Sequence, residues 1–317
     1  MGRYLARRLG QSLFILLGIT LVTYLLLFLL PADPVRQIAG RSATPAVVES
    51  IRSQLGLDLP LWQQYLRYLG NLLRGDLGRS YIQKTEVTTL ILSRLPATLL
   101  LMAGAIVVEL AIGLTAGILA ASRRGRPLDR GLMVASFAAV SAPQFVVGIL
   151  LLYLFAVRLA WLPLGGYGSF AHLVLPALTL GLLGGGWYAR MTRSALVDVL
   201  RQDYIVTARA KGAGSTRVLL VHALRNAALP IVAMIGLDVG MFMSGAVVVE
   251  SVFGWPGIGQ LTWQAIQTVD IPIIVGVTTV AAGFIVLGNL LAGSGGPLRR
   301  PADQAALTLD VITFVDT

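Results

Sequence analysis

Two carboxylates stand where an apolar chain has least use for them. Glu109 and Asp238 each lie inside a long hydrophobic run, and an acidic side chain at a bilayer centre costs about 2.5–3.5 kcal/mol on insertion scales. Groups of this kind serve a proton relay, face a wet pathway, or hydrogen-bond to a neighbouring helix. At spacings of four, seven and eleven residues, Met234, Asp238, Met241 and Gly245 share one helix face. That face either lines a pathway or packs, and both readings stand. Nothing else polar shares the face of Glu109, so for it packing is the expectation. Little other chemistry is available. With no cysteine there is neither a disulfide nor a thiolate metal site, and His172 and His222, the only two histidines, have no ligand partner at metal spacing. A phosphate-cradling loop needs Gly-Lys-Ser/Thr. The only lysines, Lys84 and Lys211, follow Gln83 and Ala210. The chain therefore holds no nucleotide site, no metal and no cofactor of its own, and is not expected to be an enzyme.

The elements that must position the two acids are membrane helices. Of 317 residues, 56% are hydrophobic and 13% charged, with a mean hydropathy of +0.78, against about 25% charged in soluble domains. Some 20 apolar residues at about 1.5 Å each cross a bilayer core of roughly 30 Å. Six runs qualify, at 9–30, 97–122, 132–156, 173–189, 227–252 and 271–291. The first follows the basic stretch MGRYLARRLG, outlasts a signal-peptide core of about 7–15 residues and has no small-x-small cleavage site after it. It reads as an uncleaved helix. The fourth run is short and carries Pro176, Gly181 and Gly184-Gly185-Gly186, so it needs close neighbours.

The net charge of +10 is no sign of nucleic acid here, because basic residues in membrane proteins gather in cytoplasmic loops. With the N-terminus inside, the inner pieces hold Arg3, Arg7 and Arg8, then Arg123 to Arg130, then Arg190 to Arg225, then Arg299 and Arg300. The short outer loops carry Arg158 alone. The fold class is all-α integral membrane with six transmembrane helices, both termini cytoplasmic and the lipid bilayer as first partner. Residues 1–96 comprise the first helix and an outer loop, 97–292 the transmembrane core, and 293–317 a tail. In the outer loop Thr44-Pro45 is an N-cap followed by proline at the first helical position, and Gly56 is a stop. Val47, Val48, Ile51 and Leu55 lie between them on one face. A second amphipathic stripe, Leu61, Trp62, Tyr65, Leu66, Leu69, Leu72 and Leu73, places Trp and Tyr at the outer membrane surface, either as a packing cap or as a contact for an external partner.

The inner segment 190–226 is too long and too basic for a plain turn. Ala208 and Ala210 allow close approach to another surface, and Gly212 and Gly214 break the helix after them. By itself this is either a docking loop or a basic loop on anionic headgroups. Glu250 to Gly259 follows the fifth helix, with Trp255-Pro256-Gly257 as a rigid turn that either forms an outer gate or packs helix ends. Asp270 is expected to N-cap the sixth helix.

At this point the sequence resembles a known family. DYIVTARAKG (203–212) is similar to the coupling loop of the dipeptide/oligopeptide/nickel ABC importer permeases. The resemblance runs from residue 1 to about 292, through LPADP (30–34), LGLDLPLWQQYLRYLGNLLRGDLGRS (55–80), LPATLLL (95–101), SAPQFVVGILLLYLFAVRLAWLPLGGYG (141–168) and GAVVVESVFGWPGIGQLTWQAIQTVDIP (245–272). The 55–80 stretch resembles the first of that family's two permease subunits. Three departures stand out. Val206 replaces a glutamate common outside the peptide branch, leucine replaces a glutamate that many relatives carry in the second helix, and 293–317 shares nothing with the family's aspartate-rich end.

The resemblance implies a type I ABC importer permease fold with an extended outer loop after the first helix, in the bacterial cytoplasmic (inner) membrane. It implies half of a translocation pore for short peptides, with a homologous second permease, two ATPase subunits or domains that bind ATP and Mg, and an extracytoplasmic solute-binding protein. Asp203, Tyr204, Ala208, Ala210, Lys211 and Gly212 would couple to the ATPases. Met234, Asp238, Met241, Gly245, Glu250, Phe253, Trp255 and Pro256 would form the pathway or its gate. Nickel chelate or oligosaccharide is an alternative cargo. Rival classes are a proton-coupled secondary transporter using Glu109 or Asp238, which lacks a visible inverted repeat, and a membrane scaffold, which leaves Asp238 unexplained. The topology is testable in this cysteine-free chain. In intact cells an impermeant thiol reagent should label Ser50→Cys and leave Leu128→Cys unlabelled.

Overall fold

The structure, a computed structural model, describes residues 2–29, 34–40 and 43–294. Helix α1 covers Gly2–Leu29. The outer loop contributes α2 (Pro34–Ala39), α3 (Pro45–Gln54) and α4 (Leu61–Leu72). Then come α5 (Val87–Ser122), α6 (Pro127–Ser141), α7 (Gln144–Leu152, continued by a π-helical turn at Tyr153–Arg158) and α8 (Phe170–Val199). Next come α9 (Asp203–Ala210) and α10 (Ser215–Arg217), which runs through a π-helical turn, Val218–Ala223, into α11 (Leu224–Gly245). Helices α12 (Val247–Val252), α13 (Ile258–Gln267) and α14 (Ile271–Ser294) complete the described residues.

Among the described residues four helices are long and apolar enough to cross a bilayer: Val87–Ser122, Phe170–Val199, Ser215–Met243 and Ile271–Gly288. The third expected span is broken, α6 and α7–Arg158 meeting at 100°. Its break is Ala142-Pro143, where the residue before proline is extended (ψ 131°) and the helix must stop. Helix α1, with its apolar stretch at Gly10–Leu25, stands in the place of the first. Several expected boundaries move. Helix α5 starts at Val87 and passes through Pro96, and α8 runs unbroken from Phe170 past the glycine triplet to Val199. The motif LPADP lies largely outside the described residues, as do 295–317 with Arg299 and Arg300.

The tightest contact is between α5 and α8. A Cβ built on Gly113 would lie 2.2 Å from Cβ of Tyr188, one on Gly117 2.5 Å from Cβ of Thr192, and one on Gly181 2.3 Å from Cγ1 of Val108. Lipid tails are as apolar as leucine, so helices in a membrane hold by close packing rather than by hydrophobic sorting. The small residues of the fourth run do what the sequence requires of them.

The outer loop differs in detail from its expectation. Pro45 opens α3, but the Thr44 side chain accepts no capping N–H and α3 buries no residue. Helix α4 seats Gln64, Tyr65 and Tyr68 inward: Tyr24 of α1 donates to Gln64 (3.2 Å), Tyr68 shares a hydrogen bond with Thr279 of α14 (2.6 Å), and the Tyr68 ring stacks on those of Tyr24 and Tyr65, which meet each other at a tilt. Trp62, Leu66 and Leu73 face outward. Asp270 does not cap α14 with its side chain. Its carboxylate reaches back to the outer loop, accepting Ser80 Oγ–H and the Tyr81 and Ile82 N–H groups (3.1 and 3.2 Å). Burial and this carboxylate push the Tyr81 hydroxyl up to about 12. The second helical residue after Asp270 is Pro272, which offers no N–H to cap.

Replacing Gly113 by valine must separate α5 from α8. Overpacking of this kind costs about 1–3 kcal/mol. The purified variant should melt several degrees lower in detergent, whereas Gly131→Ala, whose Cβ meets nothing within 4 Å, should melt like the parent.

Candidate functional site

The inner loop is a short helix hung from the end of a long one. After Val199 the chain turns through Leu200 to Gln202, and α9 begins at Asp203. Ile205 anchors it, fully buried among Leu196, Val197, Val218, Ala223 and Ala227. Around that single buried residue the rest of α9 faces out: Asp203, Tyr204, Val206, Ala210 and Lys211 are exposed and Ala208 is partly so. Asn226 Nδ2 donates to the Tyr204 hydroxyl at 2.6 Å, tying α9 to α11. The reversal after Lys211 needs Gly212, which sits at φ +82°, where any L side chain costs about 1–2 kcal/mol. Gly214 has an ordinary φ of −64° and serves as the residue before α10. Tyr204, Ala208, Lys211, Gly212, Arg217 and His222 edge a hollow of about 470 Å³ on this face. All six coupling candidates therefore lie in one surface unit, held from below by Ile205.

The pathway candidates divide into two groups. On α11, Met234 and Asp238 are half-buried and Met241 is 63% exposed. Asp238 accepts the hydroxyl of Tyr188 of α8, so the packing bond and the open face coexist on one helix. Glu109 lies close by in α5, within electrostatic reach of both Asp238 and Tyr188. Its Oε1 rests against Gly184, where a Cβ would sit 1.7 Å away, and its Oε2 is buried with no hydrogen-bond partner. Periodicity along α5 alone hides this neighbourhood, because the polar companions of Glu109 come from α8 and α11.

The second group is a sealed polar core at the outer end. Glu250 and Trp255 are at most 1% exposed and Phe253 is 2% exposed. Glu250 Oε1 accepts Thr98 Oγ1–H at 2.8 Å, and its Oε2 accepts the Gln260 N–H at 2.9 Å. Thr98 in turn accepts the Ile258 N–H at 2.8 Å, and Trp255 Nε1–H donates to the Ala97 carbonyl at 2.9 Å. Gly257 and Gly259 lack side chains because the carboxylate occupies that space: their Cβ atoms would fall 2.0 and 2.9 Å from its oxygens. Tyr167 stacks edge-on against Trp255. Glu250, Phe253 and Trp255 thus build the turn from within rather than presenting their side chains to solvent. Thr98 and Ala97, which complete the network, were not among the candidates. Their only sequence signal is the LPATLLL motif.

The described residues contain no group of three or more metal-binding side chains. Comparison with known proteins agrees with this architecture. Residues 1–102 match the family described as binding-protein-dependent transport system membrane component, N-terminal, and residues 113–294 match binding-protein-dependent transport system inner membrane component. The chain is 40% identical to the di/tripeptide transport system permease protein DppB of Pseudomonas aeruginosa over 94% of its length and 98% of the relative's. It is 42% identical to the glutathione transport system permease protein GsiC of Escherichia coli K12 over 86% and 89%. The inward-facing MetNI methionine ABC transporter superposes with a TM-score of 0.51, at 19% identity over 66% of this chain and 94% of that one, which speaks to fold alone. With both of its parts matched in order, the chain belongs to the binding-protein-dependent transport system inner membrane components, as a multi-pass ABC importer permease and not an enzyme.

Proposed function

We propose that this chain forms half of the pore of an ATP-driven importer of short peptides. The observation that carries the mechanism is the inner unit of α9: a short exposed helix fixed by Ile205 and reversed at Gly212, at the end of a helix that crosses the whole membrane. A chain with no Gly-Lys-Ser/Thr sequence takes its energy through a contact surface, and α9 has the form such a contact requires. The partners are a second, homologous permease, two ATPases that bind ATP and Mg, and an external solute-binding protein. Closure of the ATPases moves α9, α8 follows, and access to the pore alternates between the two sides.

Short peptides are the cargo that the DppB and GsiC relatives support, since the one is named for di- and tripeptides and the other for glutathione, itself a tripeptide. On this reading Met234, Asp238, Met241 and Gly245 line the pathway, and the sealed turn of Glu250, Phe253, Trp255 and Pro256 closes its outer end as one stiff piece. Both termini face the cytoplasm.

Two measurements bear on this. Ala208→Glu puts a bulky charge where the ATPase must approach. The variant should insert normally yet lose co-purifying ATPases or their substrate-stimulated hydrolysis, and Gly212→Val should act likewise through backbone strain. Parental behaviour in both assays would move the joint elsewhere. Asp238→Asn keeps the shape of the Tyr188 contact while removing the charge. Uptake should fall with the complex intact, whereas loss of the assembled complex in detergent without a selective transport defect would assign Asp238 to packing.

A further inference from the structure

The inner half of α8 is gripped by α6 at three successive turns, through residues 186, 190 and 193, which share one helix face. At the deepest, Gly186 lies against α6 so closely that a Cβ would fall 2.6 Å from the Ser136 carbonyl oxygen. One turn further in, the Arg190 guanidinium sits between two rings, 4.6 Å from the centroid of Phe137 on α6 and 4.4 Å from that of Trp187. At the inner end Arg193 forks onto Asp129 at the start of α6, with Nε to Oδ1 at 2.6 Å and Nη2 to Oδ2 at 2.7 Å. The Gly125 N–H donates to the same carboxylate at 2.8 Å, and Asp129 is 2% exposed.

A bidentate guanidinium–carboxylate pair fixes both distance and angle between the elements that carry it. Its place in the chain gives that rigidity a consequence. Arg193 lies between the glycine triplet at 184–186, three consecutive weak helix formers, and Val199, from which α9 hangs. The part of a displacement of α9 that passes back into α8 enters it below the fork. Held to α6, the inner end of α8 passes that displacement into the third span. Released from α6, it takes the displacement up as a bend at the glycines.

We propose that Asp129 and Arg193 are a positioning pair that makes the inner ends of α6 and α8 move as one body, so that the stroke received by α9 reaches the pore. The proposal rests on α9 being the ATPase contact, and it adds the route by which the stroke leaves that contact.

The test uses the complete transporter, with its ATPases and binding protein, in proteoliposomes, measuring peptide uptake per ATP hydrolysed. Asp129→Asn and Arg193→Gln should keep their ATPases and hydrolyse ATP at close to the parental rate. Uptake per ATP should fall by about tenfold, the scale of effect for a residue on a coupling route. Asp129→Glu, which keeps the charge, should retain most of the coupling. The double variant should be no worse than either single one, as required of residues that act through each other. Parental uptake per ATP in the single variants overturns the proposal, and so does a multiplied loss in the double variant. Failure of every variant, Asp129→Glu and Arg193→Lys included, to form an assembled complex assigns the pair to packing alone and overturns it too. Uncoupling in Asp129→Asn together with a silent Ala208→Glu leaves the grip standing and places the ATPase contact elsewhere.

Discussion

The contact between α5 and α8 sets the geometry of everything else. A membrane offers no hydrophobic reward for pairing two apolar helices, so they hold only if their backbones come close enough for dense packing. Here Gly113 and Gly117 on one helix and Gly181 and Gly184 on the other leave no room for a methyl group. Close approach then decides what each helix can show its neighbours. With one side of α8 committed to α5, its inner half meets α6 through Gly186, Arg190 and Arg193, and Tyr188 reaches α11 at Asp238. One helix thereby touches the second, third and fifth spans and ends in the inner loop.

Polar groups buried in this fold follow the same logic. A carboxylate removed from water is tolerated when its oxygens are filled by donors. Glu250 meets that condition through Thr98 and the Gln260 N–H, and the turn around it is rigid because glycines bring the backbone up to the carboxylate. Asp270 meets it by binding the 80–82 turn, which fastens the outer loop to the start of α14. Asp129 meets it with an arginine fork and a backbone N–H. Glu109 is different, since one of its oxygens is buried and has no partner among the described residues. It lies within electrostatic reach of Tyr188 and Asp238.

The two ends of the structure are built differently. At the outer end α12, α13 and the Glu250 network make a dry, cross-linked block. At the inner end α9 is held by one buried isoleucine, one hydrogen bond from Asn226 and a glycine reversal. That surface unit rests on few tertiary contacts at the end of the long α8.

How much of this was legible in the residues follows from the range of each interaction. Hydrophobic runs, the basic loops, the break at Gly212 and the lack of a nucleotide site are local or compositional, and they indicate a multi-pass membrane protein with an unusually long basic loop at 190–226. The permease reading and the choice of the 203–212 unit came from the family resemblance of its motifs. The span boundaries were less legible, because Val87 continues into a helix through Pro96 and Pro143 breaks another, and only neighbouring helices decide which proline is tolerated. Pairings across the chain were not legible at all. Asp270 looks like a helix cap until its partners 188–190 positions away are seen, Trp255 is one residue of a rigid turn until Ala97 accepts its N–H, and Arg193 is one basic residue among many until Asp129 meets it. The sequence by itself determined which stretches must be helical and embedded, since a backbone in lipid has to satisfy its own hydrogen bonds. Which charges meet, which glycines touch and which carboxylate is left unpaired was decided by tertiary structure, because those depend on distances between helices that no local pattern encodes.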